Sequence, residues 1–337
     1  MFEFSLTDGS SDVGGRATVA VVGSGAGLGR LLVELLADDP LCGTILGIDA
    51  RPKPLGMPAN YVHVQAGPSE SYAEHFSTHE VGCAVHAEFN GALGADDPTQ
   101  IVPSTERFLE ACRVSTPEVV SYVSSATVYG PLPDQDLLYE GALLQGKPGL
   151  PAQHIAAESL CFDYVAHDPN VCLQIVRPCQ IVGRDMDTLL ARMLQRAVIF
   201  VPREPAVALQ LVHQDDAARA LLRLLRSRCV GVFNLAADGV VTLPQLAKLC
   251  ERRVVRVPRF LFRRFMRSVG ADGLGDYFRE PWLIASVKIK TEALFMFRYD
   301  GAEAFLDSLE EETEDLPTSV VLGASEPSDA ESQATPT

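Results

Sequence analysis

The stretch ATVAVVGSGAGLG, at residues 17–29, decides the fold. Its first part, Ala17 to Val22, is apolar and rich in β-branched residues, which is typical of a buried strand. The apolar run from Arg30 to Leu36 then favours a helix. Glycines at the turn from strand to helix let the backbone approach a pyrophosphate, and the N–H groups at the helix start can bind that anion. The predicted cofactor-binding glycines are Gly23, Gly25, Gly27 and Gly29.

An acidic residue stands where the ribose of a bound dinucleotide is expected. Asp49 follows Gly29 by 20 residues, at the end of a second apolar strand, Thr44 to Ile48. A carboxylate there can accept hydrogen bonds from both ribose hydroxyls, and it repels a 2′-phosphate. The position of Asp49 therefore favours NAD over NADP as the cofactor.

Apolar strands and helical segments alternate up to Gly183. Three further runs have strand character: Ala84 to His86, Val119 to Val123, and Cys172 to Val176. Alternation of this kind predicts βαβ units and a parallel sheet. The predicted fold class is α/β, with a Rossmann-like doubly wound parallel sheet and a smaller mixed α/β cap domain.

The pattern predicts four divisions of the chain. They are a flexible N-terminus at 1–16, an NAD(P)-binding domain at 17–183, a cap or substrate domain at 184–309 whose segment at about 205–236 returns to the first domain, and an acidic disordered tail at 310–337. The tail contains eight acidic residues and no lysine or arginine, and it offers few side chains that a core could bury.

Composition excludes several classes of protein. The 337 residues are 47% hydrophobic, which excludes wholesale disorder, and their net charge of −16 disfavours a nucleic-acid partner. No apolar run is long enough to span a membrane, and the acidic start lacks the basic flank of a secretion signal, which predicts a cytoplasmic protein. The eight cysteines are scattered without metal-ligand spacing, so we expect reduced thiols and no metal site.

Five motifs follow the glycine loop in a fixed order. They are Val85-His86, SSATVYG at 124–130, RPCQIVG at 177–183, LVHQDD at 211–216 and FNL at 233–235. With these motifs the chain resembles the extended short-chain dehydrogenases/reductases, the NAD-dependent epimerase/dehydratase family typified by UDP-galactose 4-epimerase. The resemblance covers residues 17–236.

This resemblance implies a cofactor and partners. It implies NAD as the cofactor, with Pro178 among the cofactor-binding residues, and a nucleotide sugar or another small molecule as the ligand. It also implies a homodimer formed by the helices near Thr99 to Arg113 and Leu150 to Val165.

The residues that perform the family's proton transfer are absent. Members of the family use a Tyr base, a Lys four residues later that lowers its pKa, and a Ser or Thr that holds the reacting oxygen. Ser125 matches the last of these, whereas alignment on Ala157-Glu158 places Leu150 at the Tyr position and His154 at the Lys position. None of the eight tyrosines has a lysine four residues on. Ser125 and His154 remain the catalytic candidates, and the alternative for His154 is a surface helix residue.

Three departures affect the cofactor site. Ala26 replaces the family's middle glycine, Gly67 stands where an acid meets the adenine, and Glu88 replaces a small residue beside the pyrophosphate. A carboxylate next to the pyrophosphate places like charges close together. These departures weaken the prediction of NAD binding.

Three function classes remain open. The sequence favours a divergent family member without Tyr/Lys redox catalysis, a pseudoenzyme with a binding or regulatory role. The alternative is an active nucleotide-sugar epimerase, dehydratase or reductase with another base, for which Tyr129 and Tyr139 are the nearest phenols. The third is a structural component of a larger assembly.

A basic segment, RFLFRRFMR at residues 259–267, mixes arginines with large apolar residues. The spacing favours an amphipathic cap helix whose apolar side faces the core. A phosphate site and a membrane surface are the less favoured alternatives.

Overall fold

The computed structural model describes residues 16–67, 70–88, 98–131, 137–269, 274–280 and 282–314. The strands are β1 (Ala17–Val22), β2 (Cys42–Asp49), β3 (Tyr61–Gln65), β4 (Val81–His86), β5 (Val119–Val123), β6 (Cys172–Pro178), β7 (Gln180–Val182), β8 (Val198–Pro202), β9 (Ala208–Leu209), β10 (Leu211–His213), β11 (Gly231–Leu235), β12 (Val241–Thr242) and β13 (Arg253–Val257). The helices are α1 (Gly27–Ala37), α2 (Ala73–Thr78), α3 (Ile101–Ser115), α4 (Leu150–His167), α5 (Leu189–Leu194), α6 (Gln214–Ser227), α7 (Leu243–Leu249), α8 (Arg259–Ser268), α9 (Val287–Glu292) and α10 (Gly301–Glu314).

Seven strands form one parallel sheet in the order β11-β6-β5-β4-β1-β2-β3. The chain runs outward from β1 through β2 and β3, and then returns to the other side of β1 with β4. The carboxyl ends of β1 and β4 are therefore a topological switch point, where open α/β sheets bind their ligands. This sheet confirms the predicted fold class.

Helices cover both faces of the sheet. Side chains of β1 alternate between two cores, with Val19 and Val21 in one and Ala20 and Val22 in the other. The first core includes α1 and α6, and the second includes α2, α3 and α4. Because both faces are buried, the central strands are continuously apolar, which is why the sequence marks them clearly. The edge strand β3 is buried on fewer positions and lacks such a run, so the sequence does not single it out.

The smaller part of the chain packs beside the carboxyl edge of the sheet. Its centre is the parallel pair β8 and β13, on which α7 and α8 pack. Helix α8 buries Phe262, Phe265 and Met266, which confirms the predicted core helix.

The two ends of the chain bear on the predicted divisions. Helix α10 extends to Glu314, so the first five residues of the predicted disordered tail, 310–314, are helical instead. Residues 1–15 and 315–337 lie outside the described residues. Among the residues described, no helix is long and apolar enough to cross a membrane.

Candidate cofactor and active site

The loop after β1 requires glycine at its first and last positions. Gly23 has a φ of +86°, and a Cβ placed on it would lie 2.7 Å from the backbone nitrogen of Glu88. A Cβ on Gly29 would lie 2.2 Å from the carbonyl oxygen of Gly23. Side chains at either position would therefore collide with backbone, so the loop forms a bare cradle at the switch point.

Asp49 reaches back to this loop. The backbone N–H of Gly25 donates to Oδ2 of Asp49 at 2.8 Å, and that of Arg51 donates to Oδ1 at 2.9 Å. A Cβ on Gly25 would lie 2.7 Å from the carboxylate carbon of Asp49. Since a carboxylate has about four lone-pair sites, these two bonds leave acceptor capacity for ribose hydroxyls.

Ala26 does not disturb the cradle. It precedes α1 with a φ of −159°, which is extended backbone that any residue adopts. No side chain caps the start of α1. The first N–H groups of the helix are therefore directed at the space above the loop, where an anion would accept from them.

The structure places a different acid near the third strand. The backbone N–H of Gly67 donates to Oε2 of Glu70 at 2.7 Å. The sequence pattern does not indicate Glu70, because this residue lies three positions beyond Gly67, where the acid is expected. A carboxylate thus stands close to the end of β3 after all.

Glu88 lies two residues after the end of β4, and its carboxylate contacts the helix α3. The hydroxyl of Ser104 donates to Oε2 of Glu88, and that same hydroxyl lies 2.9 Å from Nε2 of His86. The side chain of Glu88 is 44% exposed. Residues 89–97, which follow it, lie outside the described residues.

Ser125 lies at the carboxyl end of the neighbouring strand, β5. Its side chain is buried and caps the short 3₁₀ helix Ala126–Tyr129, accepting from the N–H of Thr127 at 3.2 Å. The Ser125 and Thr127 hydroxyls are 2.8 Å apart. Ser125 therefore has a local structural partner, and it stands at the sheet edge that carries the glycine loop.

His154 is buried within the helix α4. Only 4% of its surface is exposed, so the surface interpretation of this residue is wrong. Its Nδ1 lies 2.8 Å from the hydroxyl of Tyr122. Burial, together with the nearby His86, lowers the pKa of His154 to about 3. The imidazole is consequently neutral at physiological pH.

An ion pair fixes the register of α4. Glu158 receives two hydrogen bonds from the guanidinium of Arg177, at 2.9 and 2.5 Å, and one from the Ser124 hydroxyl at 2.6 Å. Both charged side chains are almost fully buried. This pair joins α4, β5 and β6, and it holds Leu150 and His154 two turns and one turn before Glu158.

Tyr129 belongs to the same buried network. Its hydroxyl donates to Oδ1 of Asn234 at 2.6 Å and accepts from Arg177 at 2.8 Å. Burial raises the pKa of Tyr129 despite the nearby guanidinium, and the side chain has no exposed surface. The Tyr129 phenol, which the sequence offers as a replacement base, is thus held inside the core by two polar partners. Tyr139 is 56% exposed, and no described hydrogen bond links it to Ser125.

A shallow pocket lies in the cap. Its lining is mostly apolar, with two charged side chains, and includes Val201, Leu209, Leu243, Phe278, Glu204 and Arg256. Tyr277, next to Phe278, donates its hydroxyl to the carbonyl oxygen of Thr127 at 2.6 Å. The pocket wall is thus tied to the 3₁₀ helix that Ser125 caps.

Pro178 ends β6 at the carboxyl edge of the sheet, paired with Leu235 of β11. It is buried, and it lies at the same edge as the glycine loop. No contact of Pro178 tests its role with a cofactor, so that role stays a prediction. Within the described part of the chain, no three His, Cys, Asp or Glu side chains are arranged to hold a metal ion.

Comparison with known proteins identifies the family. The sequence model of the NAD dependent epimerase/dehydratase family matches residues 19–236. This chain belongs to that family. An uncharacterized protein of Mycobacterium tuberculosis is 26% identical over 256 residues, which are 72% of this chain and 68% of that protein.

Solved structures of epimerases and dehydratases share the fold. MoeE5 in complex with UDP-glucuronic acid and NAD is 19% identical with a TM-score of 0.70, and the match covers 89% of this chain and all of MoeE5. DesIV, a dTDP-glucose 4,6-dehydratase from Streptomyces venezuelae with NAD bound, is 15% identical with a TM-score of 0.71, over 88% of this chain and 97% of DesIV. The UDP-glucuronic acid 4-epimerase of Bacillus cereus is 15% identical with a TM-score of 0.70, over 88% and 100%.

Several features of the predicted scaffold lie together at the carboxyl edge of the sheet. The glycine loop, Asp49 and the Glu158–Arg177 pair are in place. The sequence alignment assigns two positions to the family's catalytic Tyr and Lys. Leu150, which is half-buried and cannot ionise, lies at the first, and the neutral His154 lies at the second.

Proposed function

We propose that this epimerase/dehydratase-family protein binds NAD and does not perform the family's Tyr/Lys redox turnover, acting instead by binding or regulation. One observation carries this proposal: Leu150 and a buried, neutral His154 occupy the positions expected for the catalytic Tyr and Lys. Neither residue supplies what the chemistry requires, a phenolate and a fixed positive charge beside it.

The cradle supports NAD as the ligand. Cβ atoms at Gly23, Gly25 or Gly29 would fill it, and the uncapped start of α1 offers N–H donors to a pyrophosphate. Asp49 is positioned to accept from the ribose hydroxyls, and Glu70 adds a carboxylate near the end of β3. When bound, NAD would supply a hydride acceptor. The residues of this chain would hold the NAD, but they would not provide the base that takes the substrate's hydroxyl proton.

The groups that remain near the site support the absence of turnover. The Ser125 hydroxyl is engaged with Thr127, and the Tyr129 hydroxyl is engaged with Asn234 and Arg177. Burial of Tyr122 raises the pKa of its phenol well above the ordinary value. Each phenol and hydroxyl described at this edge of the β5 strand is thus occupied by a structural partner.

The cap pocket supports a small-molecule ligand of the nucleotide-sugar class. An apolar lining with few charged groups is typical of small-molecule sites. Arg256 offers a guanidinium to a phosphate, and Val201, Leu209 and Phe278 belong to the apolar lining. MoeE5 has been solved with UDP-glucuronic acid and with UDP-glucose, which supports the same class here.

Exposed apolar side chains support self-association through α3 and α4. These helices pack against each other, and Val114 on α3 is 54% exposed while Phe162 on α4 is 45% exposed. A second copy that covered this pair of helices would bury both side chains.

Calorimetry and absorbance would test the proposed function on the full chain. We expect NAD to bind, and we expect no NADH to form with UDP-glucose or UDP-glucuronic acid. Gly25→Ala should abolish binding because its Cβ would displace the Asp49 carboxylate. Gly141→Ala is the matched control, since nothing lies within 4 Å of a Cβ at that position.

Two results would contradict the proposal. Sustained NADH formation that Ser125→Ala abolishes would establish an active enzyme with an atypical base. If the parent chain and Gly25→Ala bound NAD with equal affinity, the glycine loop would not be the cofactor site.

A further inference from the structure

The outward face of α8 combines a large apolar side chain with arginines. Phe260, Arg263, Arg264 and Arg267 have the spacing i, i+3, i+4 and i+7, so they share one face of the helix. All four are exposed, and Phe260 is 69% exposed. The opposite face, with Phe262, Phe265 and Met266, is buried in the cap. The helix is therefore anchored through one face and presents the other to its surroundings.

Arginines extend this surface beyond the helix. Residues 252–269 contain seven arginines and no Asp or Glu, and all seven arginines are exposed. They are Arg252, Arg253, Arg256, Arg259, Arg263, Arg264 and Arg267. We call these seven, together with Phe260 and Leu261, the basic surface.

Described carboxylates from other parts of the chain offset some of this charge. Asp276 lies 3.4 Å from Arg259, and Glu204 pairs with Arg279 at 3.2 Å. Among the described residues, neither Arg263 nor Arg264 forms an ion pair. A local excess of positive charge thus stands on a chain whose net charge is −16.

We propose that the basic surface docks on an anionic phospholipid membrane, with Phe260 and Leu261 entering the interface. Guanidinium groups pair with phosphate oxygens in a fork geometry, and an arginine near an anionic bilayer is attracted to its negative surface potential. Phe260 lies at the start of the helix face that carries Arg263, Arg264 and Arg267, and the aliphatic Leu261, 41% exposed, is the next residue. A helix that lies in the membrane plane uses this combination of basic and apolar side chains.

Two other anionic partners fit the surface less well. A nucleic acid would also pair with the arginines, but Leu261 cannot stack on a base as an aromatic ring does. The chain's own acidic segment at 310–337 carries enough charge to cover the arginines. It would occupy the surface in every molecule and would leave the chain unable to bind vesicles.

Cosedimentation of the full chain with lipid vesicles tests the proposal. The vesicles contain either phosphatidylcholine alone or phosphatidylcholine and phosphatidylglycerol in equal parts. We expect binding to the second kind only, and weaker binding as salt is raised. Arg263→Glu with Arg264→Glu should weaken binding by at least about tenfold, and Phe260→Ser by roughly tenfold.

The control variant carries Arg16→Glu and Arg298→Glu. Both arginines are exposed and lie outside the basic surface, and the change in net charge is the same. We expect its binding to match that of the parent chain, with thermal unfolding showing that each variant is folded. If the control variant lost as much vesicle binding as the Arg263/Arg264 variant, net charge alone would explain the loss, and the proposal would be overturned.

Other outcomes also decide against membrane docking. No binding by the full chain, with binding by a chain that ends at residue 314, would assign the surface to the acidic segment. Binding to RNA that the Arg263/Arg264 variant loses, without binding to vesicles, would assign it to nucleic acid. Neither outcome bears on NAD binding, which the Gly25→Ala titration measures separately.

Discussion

Replacing His154 with asparagine should make the stability of the protein less sensitive to acid. In the folded protein, burial holds the pKa of His154 at about 3. In the unfolded chain the imidazole has its ordinary pKa of about 6.5. Asparagine keeps a polar atom near the position of Nδ1, where Tyr122 makes its hydrogen bond, and it removes the titrating group.

The magnitude follows from the difference in proton uptake. Because the folded pKa is below the unfolded one, this contribution to stability is complete above pH 6.5 and is lost as the pH falls towards 3. Between pH 7.5 and pH 5 the unfolded chain gains nearly one proton that the folded chain does not. The free energy of unfolding of the parent chain should therefore fall by about 2 kcal/mol more than that of His154→Asn.

Urea unfolding at a series of pH values between 5 and 7.5 measures this difference. Burial also lowers the pKa of His86, and that contribution is common to both proteins, so it cancels in the comparison. His75→Asn is the control, because His75 is exposed on α2 and should not alter the pH dependence. If His154→Asn and the parent chain lost stability in parallel, the imidazole would not be held neutral, and the case against a lysine-like role would collapse.

Three further changes have expected outcomes. Glu158→Gln leaves the Arg177 guanidinium buried without its counter-ion and should lower the free energy of unfolding by roughly 3–5 kcal/mol in urea titrations; a loss below about 1 kcal/mol would contradict a buried pair. Glu88→Ala removes a negative charge beside the pyrophosphate path and should tighten NAD binding about fivefold at low salt, which calorimetry would measure; unchanged affinity would place the carboxylate away from the cofactor. Tyr277→Phe removes the donor to the Thr127 carbonyl and should cost about 1–2 kcal/mol in thermal or urea unfolding, whereas a neutral effect would mean that water replaces the phenol.

The parts of the fold that the sequence predicts are those fixed by local constraints. Backbone lies too close to Gly23 and Gly29 for any side chain, so glycine spacing indicates the cradle directly. Strands buried on both faces are apolar throughout, which indicates a parallel sheet. The edge strand β3 has no such constraint, and the sequence pattern does not separate it from a loop.

The burial of His154 could not be predicted because α4 has apolar residues on both sides. Phe162 is 45% exposed while His154 is buried, so amphipathic spacing indicates the wrong inward face. The buried hydrogen bonds of Tyr129 could not be predicted for another reason. Its hydrogen-bond partner Asn234 is 105 residues away in the sequence. Long-range partners of this kind decide whether a phenol is a base or a structural element, and no short motif contains them.

The position of β11 constrains how the protein is made. This strand pairs with β6 and becomes the outermost strand on that side of the sheet, yet it ends at residue 235. A ribosome must therefore synthesise the segment between β6 and β11 before β6 is covered. Until then β6 presents unpaired backbone groups to any neighbouring strand, including one from another nascent chain. A fragment cut at Gly183 would keep that open edge and would also lose Asn234 as the acceptor for Tyr129. The smallest unit that can be expressed with all seven strands of the sheet therefore reaches at least to Leu235.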